Sequence, residues 1–77
     1  MIRMPRISGK DVLATLTRNG YQVVHERASH HYLRKEGSGH LVVVPVHGKD
    51  ILPQGTLASI LRQADLFPES FIELLEK

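Results

Sequence analysis

The chain has 77 residues and no cysteine, so a single small domain, residues 1–77, is expected to be held together by apolar packing without disulfides or a thiolate zinc site. No apolar run approaches the ~20 residues of a membrane span, and the first residues lack the apolar segment of a signal peptide, which favours a cytoplasmic protein. Residues 1–64 carry nine Lys or Arg against four acids, and the last thirteen carry four acids against one Lys, so a polyanionic partner is expected, although a merely solvated surface explains the charge equally well.

The first seven residues predict a short basic arm without regular structure, because Pro5 opposes an early helix. A helix is predicted over Gly9–Arg18, where apolar residues recur at helical spacing. Ser8 is a good N-cap for this helix, and Asn19-Gly20 is expected to end it.

Three strands are predicted next, over Tyr21–Glu26, His30–Lys35 and His40–Val46, from their content of β-branched and aromatic residues. The turn Gly37-Ser38-Gly39 separates the second strand from the third. Pro45 limits the pairing of the third strand and indicates an edge strand or a strand end.

Two helices complete the pattern. A polar link ends at Thr56, a plausible N-cap for a second helix with an apolar stripe at Leu57, Ile60, Leu61 and Ala64. Pro68 is well placed at the start of a short last helix. The order predicts an α+β fold: a helix, a three-stranded antiparallel meander, a helix and a short C-terminal helix, with the helices on one face of the sheet and the other face open.

The second strand begins with two adjacent histidines. Side chains alternate along a strand, so His30, Tyr32 and Arg34 share one face, and Leu33 marks the opposite face as the inner one. His31 is then expected to secure the strand from the inner face, with a direct catalytic part as the weaker alternative. Imidazole has an unperturbed pKa of about 6.5 and can exchange protons near neutrality, so an outward His30 is a candidate catalyst; a surface histidine without a role is the alternative.

Four segments together resemble a known family: Asn19-Gly20-Tyr21, Ala28-Ser29-His30-His31-Tyr32, VVVPVHGKDI at 42–51 and PQGTLASILRQA at 53–64. They are similar to the HicA-like toxins of bacterial and archaeal toxin–antitoxin pairs, which are small RNA-cleaving proteins with a fold like that of double-stranded-RNA-binding domains. The resemblance covers nearly the whole chain, from about Ser8 to Leu75.

This resemblance implies a metal-free endoribonuclease that acts on mRNA without a cofactor. In the family the catalytic histidine follows the serine of a Gly-Ser-His segment, which corresponds to His30. Ala28 stands in place of that glycine, so if this position needs a positive φ the chain is expected either to carry strain there or to adopt a different turn. Asp65 replaces the glycine that commonly ends the second helix, which predicts a differently shaped junction. The family also implies a HicB-like antitoxin that covers the active face; Val42 and Val44 are candidate contacts for it or else core residues.

The expected chemistry begins with removal of a proton from an RNA 2′-hydroxyl by His30. Charge on the phosphorus oxygens could be stabilised by Arg27, Arg34, Lys49 or the backbone N–H groups that open the helix at Thr56, and the sequence does not rank these four.

Two further residues could assist His30. Ser29 is expected to orient His30 or bond the backbone. His47 is a candidate general acid or phosphate contact, and a loop histidine without a role is equally compatible. His25 and His40 are interpreted as strand-surface residues. The histidine spacing is not a zinc signature, so no metal is expected.

Two other functional classes share this fold. A non-catalytic RNA-binding module would hold structured RNA by shape, but such modules place lysines where Pro53–Thr56 has no cation. A protein-binding adaptor would explain the acidic last helix and leave the basic body unused. The sequence therefore favours the nuclease.

Overall fold

The computed structural model describes residues 4–76 as a three-stranded sheet with helices on one face. Its elements are α1 (Gly9–Arg18), β1 (Tyr21–Arg27), β2 (His30–Lys35), β3 (Leu41–Pro45), α2 (Gln54–Gln63) and α3 (Pro68–Leu75). The α+β class and the predicted order of elements are confirmed. Within the described residues, no helix is long and apolar enough to cross a membrane.

The end of the predicted arm is tied to the domain. Met4–Ile7 has no helix or strand, as expected, and the first three residues of the arm lie outside the described part. Ile7 is nevertheless buried, and its carbonyl accepts a hydrogen bond of 2.9 Å from the Leu52 N–H. Ile7 therefore anchors the end of the arm, because it contributes apolar surface to the core.

Helix α1 has the predicted bounds and cap. The Asp11 N–H donates to Ser8 Oγ at 3.1 Å, and this bond satisfies one of the N–H groups that a helix start leaves unpaired. Gly9 packs directly against the backbone of Pro45 and Val46 at the end of β3. Because a glycine occupies this contact, α1 lies close under the end of β3.

The strands form an antiparallel meander in the order β1-β2-β3. Strand β3 is an edge strand that ends at Pro45, as that proline predicts. Helix α2 covers part of the free edge: the Val43 N–H donates to Gln63 Oε1 at 2.8 Å, and Gln63 Nε2 donates to Ser59 Oγ at 3.2 Å. A side chain thus occupies one position where another strand could pair.

The core lies between the sheet and the helices. Its fully buried aliphatic and aromatic side chains are Val12, Leu16, Leu33, Val42, Val44, Leu57, Ile60 and Phe71. The expectation that Val42 and Val44 offer a surface to a partner is wrong. They pair with Leu33 and His31 in the register of β2 and β3, so they face the helices.

Helix α2 starts earlier than predicted, and a backbone motif caps its C-terminal end. Its N-cap is Pro53, without a side-chain hydrogen bond, so Thr56 lies inside the first turn and the N-cap assigned to Thr56 is wrong. At the other end, Asp65 itself adopts the left-handed conformation at φ 57°. The Asp65 N–H donates to the Arg62 carbonyl and the Leu66 N–H to the Leu61 carbonyl, the two bonds of a Schellman motif, so this helix end forms without glycine.

Candidate active site

The face of the sheet opposite the helices is called the outer face here. The strand registers place nine residues on it: Gln22, His25, Arg27, His30, Tyr32, Arg34, Leu41, Val43 and Pro45. None of the nine is acidic, and two are arginines. The outer face is therefore cationic in its own right, which suits a polyanion.

His30 is exposed on the outer face, as the strand alternation predicts. It lies at one wall of a groove between β3 and the start of α2, called the His30 groove here. The other lining residues are Val43, Pro45, Gly55, Thr56, Ser59, Ile60 and Gln63. His30 is the one ionisable side chain among them, so its imidazole is the candidate proton acceptor in this groove.

A tight turn sets the position of His30. Arg27 and His30 pair directly, so Ala28 and Ser29 form a two-residue hairpin loop. Ala28 has φ 53°, which fits a type II′ turn, where glycine is preferred at the first central position. An L-residue with a side chain in this conformation costs about 1–2 kcal/mol. The strain anticipated at Ala28 is therefore present, and the hairpin keeps its shape despite it.

The hairpin turn contacts the loop that follows β3. The Ser29 carbonyl accepts from the Val46 N–H at 2.7 Å, and Ser29 Oγ lies 3.4 Å from His47 Nε2. His47 begins a turn that is closed by the Asp50 N–H, which donates to the His47 carbonyl at 3.0 Å. Two sequence-distant candidates, Ser29 and His47, are thus brought together beside His30.

His30 and His47 border two neighbouring depressions. Pro45 and Thr56 line both the His30 groove and the depression that contains His47. Because imidazole can accept or donate a proton, this region contains two candidate groups for proton transfer.

The candidate cations are placed unequally. Arg27 pairs directly with His30 on the outer face. Arg34 lies four residues along β2, about 13 Å from His30 at the rise of a strand, and Lys49 lies in the exposed turn after His47. Among residues 4–76, the sole ion pair joins His31 and Glu26, so the described carboxylates leave all three cations unpaired.

The start of α2 adds backbone donors to the groove. The helix has no side-chain cap, so its first N–H groups lack an internal partner. Gly55 and Thr56 in this first turn line the His30 groove, and a Cβ at Gly55 would meet nothing within 4 Å. An anion can therefore approach the first turn closely.

His31 lies on the inner face, as predicted. Its Nε2 is 3.7 Å from Glu26 Oε1 on the neighbouring strand, and its Nδ1 is buried without a hydrogen-bond partner in the described part of the chain. The second histidine of the doublet therefore faces away from the His30 groove.

Sequence reasoning missed two features of this site. His25, interpreted only as a strand-surface residue, has its ring centroid 5.4 Å from that of Tyr32. The cross-strand register that joins them depends on an irregularity near Val24 that no pattern in the sequence indicates. The groove residues Ser59 and Gln63 were also missed, because helical periodicity marks the buried side of α2 but not which strand edge the helix covers.

Residues 9–66 match the family model described as the HicA toxin of bacterial toxin–antitoxin. The matched range begins with α1 and includes every residue of the candidate site. This match confirms the resemblance that the four sequence segments indicate. The comparison with curated proteins gave no match.

Proposed function

The chain belongs to the HicA toxin family of bacterial toxin–antitoxin systems, and from this premise we propose that it is an endoribonuclease that cleaves mRNA with His30 as its general base. Membership of this family of RNA-cleaving toxins supports RNA as the target. We propose in addition that the RNA is mRNA, that the reaction needs no metal and that the residues act as described below.

One observation carries the proposal: the exposed imidazole of His30 borders a groove with no other ionisable side chain. Arg27 pairs with His30 on the same face, and the outer face contains no acid. A bound phosphodiester would therefore meet a base and positive charge together, which are the two requirements of RNA cleavage.

The proposed reaction starts with neutral His30, which takes the proton of a ribose 2′-hydroxyl. The 2′-oxygen attacks the adjacent phosphorus, and the bond from phosphorus to the 5′-oxygen of the next nucleotide breaks. Protonated His47 gives its proton to that leaving oxygen. The products are a 2′,3′-cyclic phosphate and a 5′-hydroxyl, and proton exchange with water restores both imidazoles. Each positioned proton transfer accelerates such a step by roughly 10²–10⁴-fold.

Charge on the phosphorus oxygens has two nearby sources of stabilisation. Gly55 and Thr56, in the uncapped first turn of α2, line the groove, and Arg27 pairs with His30. Arg34, further along β2, and Lys49, in the turn after His47, are proposed to contact neighbouring phosphates of the RNA. Ser29 is a positioning residue, because its hydroxyl contacts His47 and no carboxylate-backed base accompanies it.

The proposed protein partner is a HicB-like antitoxin. It would neutralise the toxin by covering the outer face and the His30 groove. Val42 and Val44 are core residues and take no part in this proposed contact, which involves the outer face instead.

The test compares purified wild-type protein, His30→Ala and His40→Ala on a labelled mRNA in the presence of EDTA. His40 is exposed and lies outside the site, so it is a matched histidine control. We expect the wild type and His40→Ala to cleave and His30→Ala to lose cleavage while keeping its circular dichroism spectrum. Full cleavage by His30→Ala would overturn the assignment. A wild type that binds RNA and never cleaves it would instead be a binding module.

A further inference from the structure

A second feature of the outer face lies next to His30 and is not used in the proposed reaction. His25 and Tyr32 are cross-strand neighbours, with ring centroids 5.4 Å apart and planes inclined at 47°. Tyr32 follows His30 by two residues on the same face, which places it about 7 Å further along β2. The two rings thus occupy the next outward-facing positions along β1 and β2 after the pair Arg27 and His30.

Cations flank these rings on the outer face. Arg27 lies beyond His25 on β1, and Arg34 lies beyond Tyr32 on β2. Neither arginine has a carboxylate partner within residues 4–76. Aromatic rings set between backbone-binding cations are the arrangement by which proteins hold single-stranded nucleic acids, where bases stack on the rings and phosphates contact the cations.

We propose that His25 and Tyr32 form a stacking platform for one base of single-stranded RNA, in the nucleotide next to the phosphate held at His30. The inference rests on the proposed function for the identity of the substrate and assigns its class. In a duplex each base is covered on both sides by its neighbours, whereas an unpaired base offers a free π-face to a ring on a sheet. The platform therefore selects single-stranded segments of the message over paired ones.

Charge favours RNA over a protein as the occupant of this surface. The rings lie among arginines and histidines, with no acid among the nine residues of the outer face. A single-stranded nucleic acid offers bases to the rings and phosphates to the arginines. It does so whatever its base sequence, because every base has a π-face. The platform consequently contributes affinity with little base preference.

The test measures binding in the His30→Ala background, in which the RNA stays intact. A fluorescent single-stranded oligonucleotide and a duplex of the same sequence are titrated with His30→Ala alone and with added Tyr32→Leu, Tyr32→Phe or Phe67→Ala. Phe67 is an exposed aromatic residue of the α3 N-terminus and is the control for loss of a ring elsewhere. Thermal unfolding checks that each variant is folded.

We expect Tyr32→Leu to weaken single-strand binding roughly 10- to 100-fold, the range for loss of one base stack, and to leave duplex binding unchanged. Tyr32→Phe and Phe67→Ala should bind as the parent does. An abasic nucleotide at the stacked position should remove the difference between tyrosine and leucine, since the ring then has no base to contact.

Equal single-strand binding by the Tyr32→Leu and parent proteins would overturn the platform, as would an equal loss on duplex RNA. Loss of antitoxin binding by Tyr32→Leu with RNA binding intact would make the surface a protein contact and would also overturn it. Failure of the proposed nuclease function would give a different result. The wild type would then bind RNA with the expected dependence on Tyr32 and leave the RNA uncut.

Discussion

Ser29 Oγ lies 3.4 Å from His47 Nε2, although 18 positions separate the two residues in the sequence. The contact joins the hairpin turn before β2 to the loop after β3. His47 lines a depression that shares Pro45 and Thr56 with the His30 groove. The proposed role of His47 as proton donor to the leaving oxygen rests on this placement.

The first prediction concerns His47→Gln, which keeps a polar side chain and removes the exchangeable proton. We expect kcat to fall by roughly 10²-fold or more with KM little changed. A general acid acts on the leaving oxygen in the chemical step, so its loss should lower kcat rather than substrate affinity. Cleavage rates measured over a range of concentrations of one oligonucleotide provide the test.

A raised KM with an unchanged kcat would show that His47 only contacts phosphate. Ser29→Ala is the matched control, because it removes the contact with His47 and retains both imidazoles. Its effect should be modest. A loss as large as that of His30→Ala would make the serine the reacting group.

The second prediction concerns strain in the hairpin. Ala28 adopts φ 53°, a conformation that glycine occupies without a steric penalty. Ala28→Gly should therefore raise the free energy of unfolding by about 1 kcal/mol, and Ala28→Val should lower it. Urea denaturation of the three proteins measures the difference. Equal or lower stability of the glycine variant would contradict the left-handed conformation at this position.

The third prediction compares two glycines in first turns of helices. Alanine is the better helix residue by about 0.5–1 kcal/mol, so propensity alone favours both Gly9→Ala and Gly55→Ala. At Gly9, however, a Cβ would collide with the Pro45 carbonyl and lie 3.3 Å from Val46 Cα, both backbone groups that cannot swing aside. Overpacking of this kind costs about 1–3 kcal/mol and should outweigh propensity.

Gly55 is the internal control because a Cβ there meets no atom within 4 Å. We expect thermal unfolding to show a lower Tm for Gly9→Ala and an equal or higher Tm for Gly55→Ala. If both variants gained stability, the close packing of α1 under the end of β3 would be wrong.

The fourth prediction concerns Tyr21, whose hydroxyl donates to the Ala64 carbonyl at 3.2 Å. Burial, and then the negative charge of Asp65, raise the pKa of Tyr21 above its ordinary value. The folded state therefore favours the neutral phenol. This contribution to stability is complete below the unfolded pKa of about 10 and is lost as the pH rises through the folded value.

At neutral pH, Tyr21→Phe should be less stable than the wild type by about 0.5–1.5 kcal/mol, the usual net value of one hydrogen bond. This difference in the free energy of unfolding should shrink above pH 10. Urea denaturation at several pH values tests the sign, and a difference that grows with pH would contradict the buried, neutral phenol.

Local rules account for the features that were predicted correctly. Ser8 caps α1 because its hydroxyl meets an unpaired N–H three residues on, a relationship within one turn of chain. Strand alternation placed His30 outward and Leu33 inward, since both lie in one regular strand. Fold class and the exposure of the proposed catalytic residue therefore follow from short-range patterns.

The features that were missed depend on long-range packing. Val42 and Val44 belong to a run that is apolar on both faces, so alternation could not show which valines face the helices. The start of α2 at Gln54 was not predicted, because Thr56 is the better N-cap by residue type. The helix instead begins after Pro53. The contacts of His25 with Tyr32 and of Ser29 with His47 depend on tertiary register and loop geometry.

In the proposed reaction, His30 activates the 2′-hydroxyl of the substrate itself. The decisive measurement compares an RNA oligonucleotide that the wild type cleaves at one position with a copy that carries a single 2′-deoxy substitution at that nucleotide. We predict that the unmodified RNA yields a 2′,3′-cyclic phosphate and that the substituted RNA stays intact at this position. Cleavage of the deoxy-substituted RNA at this position, at the rate of the unmodified RNA, would rule out attack by the 2′-oxygen and therefore its activation by His30.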